Sequence, residues 1–83
     1  MNIELNVLDM LEEEEGYVRL VLTSGKVIYG KPLIITWAED EDGDDTIPEI
    51  MFDPYINPYG IKRFYRLEEI ESYVPCDEKD IPL

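Results

Sequence analysis

The sequence predicts a mainly β protein, a small five-stranded barrel with one short helix ahead of the first strand. The first observation is the run from Tyr17 to Trp37, in which apolar residues alternate on both sides of Ser24-Gly25. Glycine supplies the positive φ that tight hairpin turns need, so this run predicts two paired strands. The second observation is three further short apolar runs, at 49–52, 61–67 and 70–74, bounded by turn residues. The first hairpin is apolar on both faces over its middle, as expected where a sheet curls into a barrel or is covered by a helix, and together with the short strands it favours a small barrel.

A two-residue turn at Ser24-Gly25 predicts the register of the first hairpin. In that register Leu22 faces Val27, and Val21 pairs with Ile28 on the opposite side. The core side would then consist of Val18, Leu20, Leu22, Val27 and Tyr29. Gly30 predicts a sharp bend or a close approach of another backbone, because a glycine inside a strand otherwise weakens it.

The stretch before the hairpin predicts a helix over about 6–15, with Asn6 as its N-cap and Gly16 as its end. Its apolar positions are Val7, Leu8, Met10 and Leu11. An opening strand over residues 3–7 is the alternative, because Ile3, Leu5 and Val7 alternate.

The 83 residues predict a single domain over 1–83, in which the barrel covers about 17–74 and the tail at 75–83 frays. The chain has one cysteine, Cys76, and no histidine, so the sequence predicts neither an internal disulfide nor a metal site. Since no stretch reads as a secretory signal or a membrane span, we expect a cytoplasmic protein with no membrane contact.

Twenty acidic residues against seven basic ones give a net charge of -13. Such a charge repels phosphates and favours a basic protein partner. The alternative is that the charge only keeps the protein soluble. Two clusters carry much of it. The helix-end cluster is Asp9, Glu12, Glu13, Glu14 and Glu15; the acidic loop contributes Glu39, Asp40, Glu41, Asp42, Asp44 and Asp45. We predict both as partner-binding residues.

Alternate aspartates in the acidic loop also resemble the spacing of a calcium loop. However, Asp45 stands where such a loop has glycine and Met51 stands where it has glutamate. The sequence therefore favours a solvated loop or an acidic contact surface over a calcium site, and no cofactor is predicted.

Aromatic residues supply the remaining candidates. Tyr55 and Tyr59 lie with Ile56 in a proline-rich stretch, where they either fold over one mouth of the barrel or form an exposed anchor for a partner. Trp37 has the same two interpretations, and the buried one, a plug of the barrel, is favoured.

Two segments resemble the signatures of Sm-like proteins, which are small SH3-like barrels. Leu22, Gly25, Ile28 and Gly30 have the spacing of the first signature, and residues 65–70 (YRLEEI) are similar to the second. The resemblance implies a short helix followed by five bent strands. Thr36 and Leu67 differ from the family where Sm proteins hold RNA.

Residues 65–73 (YRLEEIESY) also resemble the closing strands of the Rof family, small acidic inhibitors of the transcription terminator Rho. The acidic segment 9–15 lies where Rof proteins carry the acidic residues that engage Rho. The resemblance implies an anionic surface that occupies a nucleic-acid site.

Together these observations predict a small non-enzymatic binding module that docks on a basic protein surface and masks a nucleic-acid site. No catalytic residues are predicted, because the chain lacks histidine, a phosphate-binding loop and a base for Cys76. Two alternatives remain open: an Sm-like RNA-binding ring protein, and an immunity or anti-defence protein that neutralises a basic nuclease.

Overall fold

The computed structural model describes the backbone of residues 3–82 and the side chains of residues 7–82. One helix precedes five strands: α1 (Ile3–Glu13), β1 (Tyr17–Leu22), β2 (Val27–Glu39), β3 (Asp45–Pro54), β4 (Arg63–Arg66) and β5 (Ile70–Cys76). Short 3₁₀ turns follow at Leu67–Glu69 and Glu78–Asp80. The prediction of a mainly β fold with five strands and one short helix is confirmed.

The five strands form one antiparallel sheet in the order β4-β3-β2-β1-β5. Across the described residues no ladder joins β4 to β5, so the sheet is open at both of these strands. A backbone bond from the Thr23 N–H to the Glu69 carbonyl, 2.8 Å long, ties the first hairpin to the β4–β5 connection. The closed barrel therefore stays a prediction.

The helix lies earlier in the chain than predicted, at Ile3–Glu13 instead of 6–15. Asn6 is inside it and cannot be its N-cap, and the alternative of a strand over 3–7 is wrong. Apolar residues four apart, such as Ile3 and Val7, fit a helix as well as a strand, and this ambiguity hid the true start. The last turn is tight, with the Glu14 N–H donating to the Leu11 carbonyl at 3.1 Å.

The predicted register of the first hairpin is wrong by one residue. The turn has three residues, Thr23 to Gly25, because the Leu22 N–H donates to the Lys26 carbonyl and the Gly25 N–H donates to the Leu22 carbonyl. Gly25 has a φ of 91°, as this longer turn requires. Val27 consequently moves to the exposed side, and Ile28 pairs with the buried Leu20 on the core side.

The hydrophobic core lies between α1 and one face of the sheet. Leu8 and Leu11, three residues apart on the helix, point into it. Its remaining fully or nearly buried members come from two strands, β1 and β3: Val18, Leu20, Leu22, Ile50 and Phe52. Tyr65 contacts Phe52 edge-on, with ring centroids 5.9 Å apart, and so joins β4 to the core.

Gly30 occupies the most crowded point of the sheet. A Cβ at this position would collide with the carbonyl oxygen of Asp53 and lie 2.7 Å from the Phe52 ring and 2.9 Å from the Pro54 Cα. The close approach of a neighbouring strand thus accounts for this glycine. Just beyond it, Leu33 and Ile34 face Met51 alone, and this bulge bends β2.

Residues 75–82, in the stretch predicted as a tail, carry the end of β5 and a 3₁₀ turn, with most of their side chains exposed. Strand β5 continues through Pro75 to Cys76, which an edge strand tolerates. Ile81 is buried, and the Tyr55 hydroxyl donates to the Glu78 carboxylate at 3.0 Å. Residues 77–82 therefore fold back against the body of the protein.

Candidate functional site

The second half of the β2–β3 hairpin projects from the sheet as a two-stranded arm. Strand β1 pairs only with residues 27–30 of β2, and β4 pairs only with residues 49–52 of β3. Between these limits, over residues 36–48, none of the described strands lies beside β2 and β3 other than each other. We call this segment the arm, and the acidic loop is its tip.

Asp40 gives the acidic loop its shape. One oxygen of its carboxylate accepts the N–H groups of Asp42 and Asp44 at 2.8 and 3.0 Å, and the other accepts the Thr46 hydroxyl at 2.6 Å. The hydroxyl of Thr46, followed by the amide of Asp44, holds the pKa of Asp40 below its usual value of 3.8. Asp40 is thus a structural residue of the tip rather than a free contact residue.

The other five predicted acids of the acidic loop are exposed to solvent: Glu39, Glu41, Asp42, Asp44 and Asp45. No cation of the described chain lies within ion-pair distance of them. Both oxygens of Asp40 are already engaged by the loop itself, and no group of metal ligands converges among the described side chains. The tip therefore presents unpaired carboxylates on a hydrogen-bonded frame.

Trp37 stands on the arm with 51% of its surface exposed, so the favoured interpretation as a buried plug is wrong. It pairs across the hairpin with Pro48, beyond the last residue of β3 that β4 covers. Strand β2 has thirteen residues and β1 has six, so Trp37 lies beyond the part of β2 that β1 covers. An exposed tryptophan beside the acidic loop is a suitable anchor for a partner.

The residues of the helix-end cluster have different surroundings. The Glu12 carboxylate accepts the Ile35 N–H at 2.8 Å and so fastens the helix to β2. Glu13 and Glu14 lie near Tyr73, whose pKa is raised by burial and, secondarily, by their negative charges. Asp9 and Glu15 are exposed.

The structure groups Glu14 with two acids that sequence reasoning missed. Glu14, Asp77 and Asp80 line one surface pocket of about 360 Å³ beside Cys76. Burial, then the charges of Asp80 and Asp77, raise the pKa of the Cys76 thiol, so its nucleophilic thiolate is disfavoured at neutral pH. In the sequence, only the acidic residues of the segment 77–80 (DEKD) indicate such a group.

The turn before β2 and the start of β4 together carry the opposite charge. Lys26, Lys62 and Arg63 line a surface pocket of about 490 Å³ together with Phe64 and Tyr65. We call this the cationic pocket. Exposed apolar side chains continue from it along the adjoining loop, namely Ile56, Tyr59 and Ile61.

The two predicted tyrosines have different environments. Tyr55 packs edge-on against Tyr17, with ring centroids 5.3 Å apart, and its pKa is raised first by the hydrogen bond to Glu78. Tyr59 is 86% exposed. Of the two, only Tyr59 is exposed, and it lies near the cationic pocket instead of the acidic loop.

Comparison with protein-family models, with curated proteins and with solved structures finds no match to this chain. The resemblance to the Sm-like and Rof families consequently stays a prediction. Within residues 3–82, no helix has the length and apolar character needed to cross a membrane. The arm and the cationic pocket are the candidate binding surfaces.

Proposed function

We propose that this protein is a non-enzymatic binding module that docks its arm on a basic surface of another protein. The observation that carries the proposal is the arm itself, on which five exposed carboxylates and the exposed Trp37 project beyond the packed sheet. An aromatic anchor beside a set of charges is typical of the centre and rim of protein interfaces.

The electrostatics of the chain support the same function. A net charge of -13 attracts basic surfaces over about 10 Å at 0.1 M salt, and association is then fast and sensitive to salt. A surface that accepts several carboxylates on a fixed loop is also suited to phosphates. The arm would thus compete with nucleic acid for its partner, which agrees with the resemblance to the Rof family.

The test is affinity capture at low salt from a nuclease-treated lysate, with two variants that lose equal charge. The arm variant carries Glu41→Gln, Asp42→Asn and Asp44→Asn. The control carries Glu69→Gln, Glu71→Gln and Asp77→Asn, three exposed acids outside the arm and outside the helix-end cluster. We expect basic proteins to be retained by the wild type and the control and lost by the arm variant. Equal loss with both variants, or retention that high salt does not change, would contradict the proposal.

A second candidate function, the RNA-binding alternative, is favoured by the cationic pocket. Lys26, Lys62 and Arg63 surround the half-exposed Phe64, and cations beside an aromatic ring suit single-stranded nucleic acid. Lys62 is partly neutralised by Asp53 at 3.6 Å. Labelled single-stranded RNA at low salt tests this function, and the absence of a mobility shift would remove it.

The immunity or anti-defence alternative uses the same arm and differs only in its target, a basic nuclease. Identification of the captured proteins distinguishes the two. A captured nuclease whose activity falls when the protein is added would favour this alternative, whereas a captured protein without nuclease activity would exclude it for that partner.

A further inference from the structure

One edge of β2 is bare along the arm. Strand β1 stops pairing with β2 at Gly30, and the bulge at Leu33 and Ile34 follows. From Ile35 onward β2 has β3 on one side, and none of the described strands lies on the other. Unpaired backbone groups at such an edge are a template for another strand.

Hydrogen bonds show which residues face this edge. The Ile35 N–H donates to the Glu12 side chain, so it points away from β3. Trp37 is two residues later and faces the same way, since strand directions alternate. Its partner Pro48 has no N–H to offer, which agrees with a pair that exchanges no hydrogen bonds.

Three backbone groups are therefore presented at the edge: the carbonyl oxygens of Ile35 and Trp37 and the N–H of Trp37. Away from β3, no described backbone or side-chain acceptor bonds the Trp37 N–H. We call residues 35–37 the open edge. Glu12 accepts the N–H of its first residue, and the acidic loop follows shortly after its last residue.

We propose that the open edge takes an extended basic segment of the partner as an added strand. The inference rests on the proposed function and specifies how the arm binds. Main-chain hydrogen bonds would hold the segment, while its alternate side chains would reach the exposed Trp37 and the carboxylates of the acidic loop.

Charge selects this occupant over a second copy of the chain. An exposed edge beside Trp37 and the exposed Ile34 would ordinarily promote edge-to-edge pairing between copies. Here each copy carries a charge of -13, so the pairing of two copies edge to edge is opposed by repulsion between them. A lysine- or arginine-rich strand meets no such repulsion and neutralises the tip.

Two synthetic peptides test the mode of binding. The first is an octapeptide of alternating lysine and valine, and the second is the same peptide with the four central amides N-methylated. N-methylation keeps every charge and side chain of the peptide. Because the N–H groups of an extended peptide alternate between its two edges, methylation of four consecutive amides removes donors from both edges. We expect calorimetry at low salt to give about tenfold weaker binding for the methylated peptide, as the loss of one or two hydrogen bonds implies.

The outcomes separate the two proposals. Equal affinity for the two peptides would overturn the added strand and leave the proposed function standing, because charge alone would then account for binding. Failure of the wild type to bind either peptide would overturn both. Weaker binding of the methylated peptide, with slower hydrogen exchange at Trp37 in the unmethylated complex, is the result that supports the inference.

A pair of protein variants gives an independent measurement. Trp37→Ala removes the side chain and keeps the N–H, whereas Trp37→Pro removes both. Because this N–H faces away from β3, we expect both variants to fold, with the proline variant binding the unmethylated peptide about tenfold more weakly than the alanine variant. Equal affinities of the two variants would contradict the inference.

Discussion

The two halves of β2 have opposite environments. Residues 27–30 pair with β1, and Gly30, which also pairs with β3, is closed in by the Phe52 ring and the Pro54 backbone. Residues 35–39 have β3 on one side only and carry the half-exposed Trp37. One continuous strand thus supplies the centre of the fold at its beginning and a free surface for recognition at its end. Substitutions in the first half should affect stability, and those in the second half should affect binding.

The largest effect is expected at Gly30. Gly30→Val places two methyl groups where even a Cβ collides with Asp53, so we expect a loss of more than about 3 kcal/mol in the free energy of unfolding. Gly16→Ala is the matched control, because a Cβ at Gly16 meets nothing within 4 Å. Urea unfolding followed by far-UV circular dichroism measures both. A Gly30→Val midpoint equal to that of the control would show that the strands are not packed this closely.

A direct contrast between core and arm comes next. Leu20 is fully buried, so Leu20→Ala should lower the free energy of unfolding by about 2 to 5 kcal/mol. Trp37→Ala should lower it by less, about 1 kcal/mol, because half of the removed side chain is already in solvent. The same denaturation experiment compares them. A large destabilisation by Trp37→Ala would mean that the arm is part of the core.

A smaller effect is expected at the junction of the two halves. Glu12→Gln weakens the hydrogen bond to the Ile35 N–H, and we expect a loss of about 1 kcal/mol. Glu15→Gln removes an equal charge from an exposed position beyond the end of the helix and serves as the control. If both variants have the stability of the wild type, the helix is not fastened to β2 through this carboxylate.

The smallest effect is a local one, at the tip of the arm. The hydrogen bonds that lower the pKa of Asp40 favour its charged form, so they stabilise the loop above pH 3.8. This stabilisation is lost as the pH falls below 3.8, through the lower pKa of the folded state. In ¹³C spectra the side-chain carboxyl carbon of Asp40 should therefore titrate with a midpoint below pH 3.8. Midpoints above 3.8 would contradict this role of Asp40.

The sequence was informative where local spacing decides the outcome. Alternation placed Val18, Leu20 and Leu22 on one buried face, and turn residues marked the ends of the strands. The register failed because turns of two and three residues share the same Ser-Gly signal, and only the bond from Leu22 to Lys26 distinguishes them.

The candidate site depended on contacts between distant parts of the chain. The exposure of Trp37 follows from where β1 stops pairing with β2, which no local pattern reveals. The bond from Glu12 to Ile35 joins residues 23 positions apart. Sequence spacing located the acids, but it could not separate the structural carboxylates of Glu12 and Asp40 from the free ones of the tip.

The most direct test of the arm as the recognition surface is a ¹⁵N–¹H titration with the alternating lysine and valine octapeptide. The account predicts shifts concentrated at residues 35–46, largest at the Trp37 amide and in the acidic loop, and shifts near zero at the exposed Glu69, Glu71 and Asp77. Shifts of similar size at all exposed acids around the protein would contradict it.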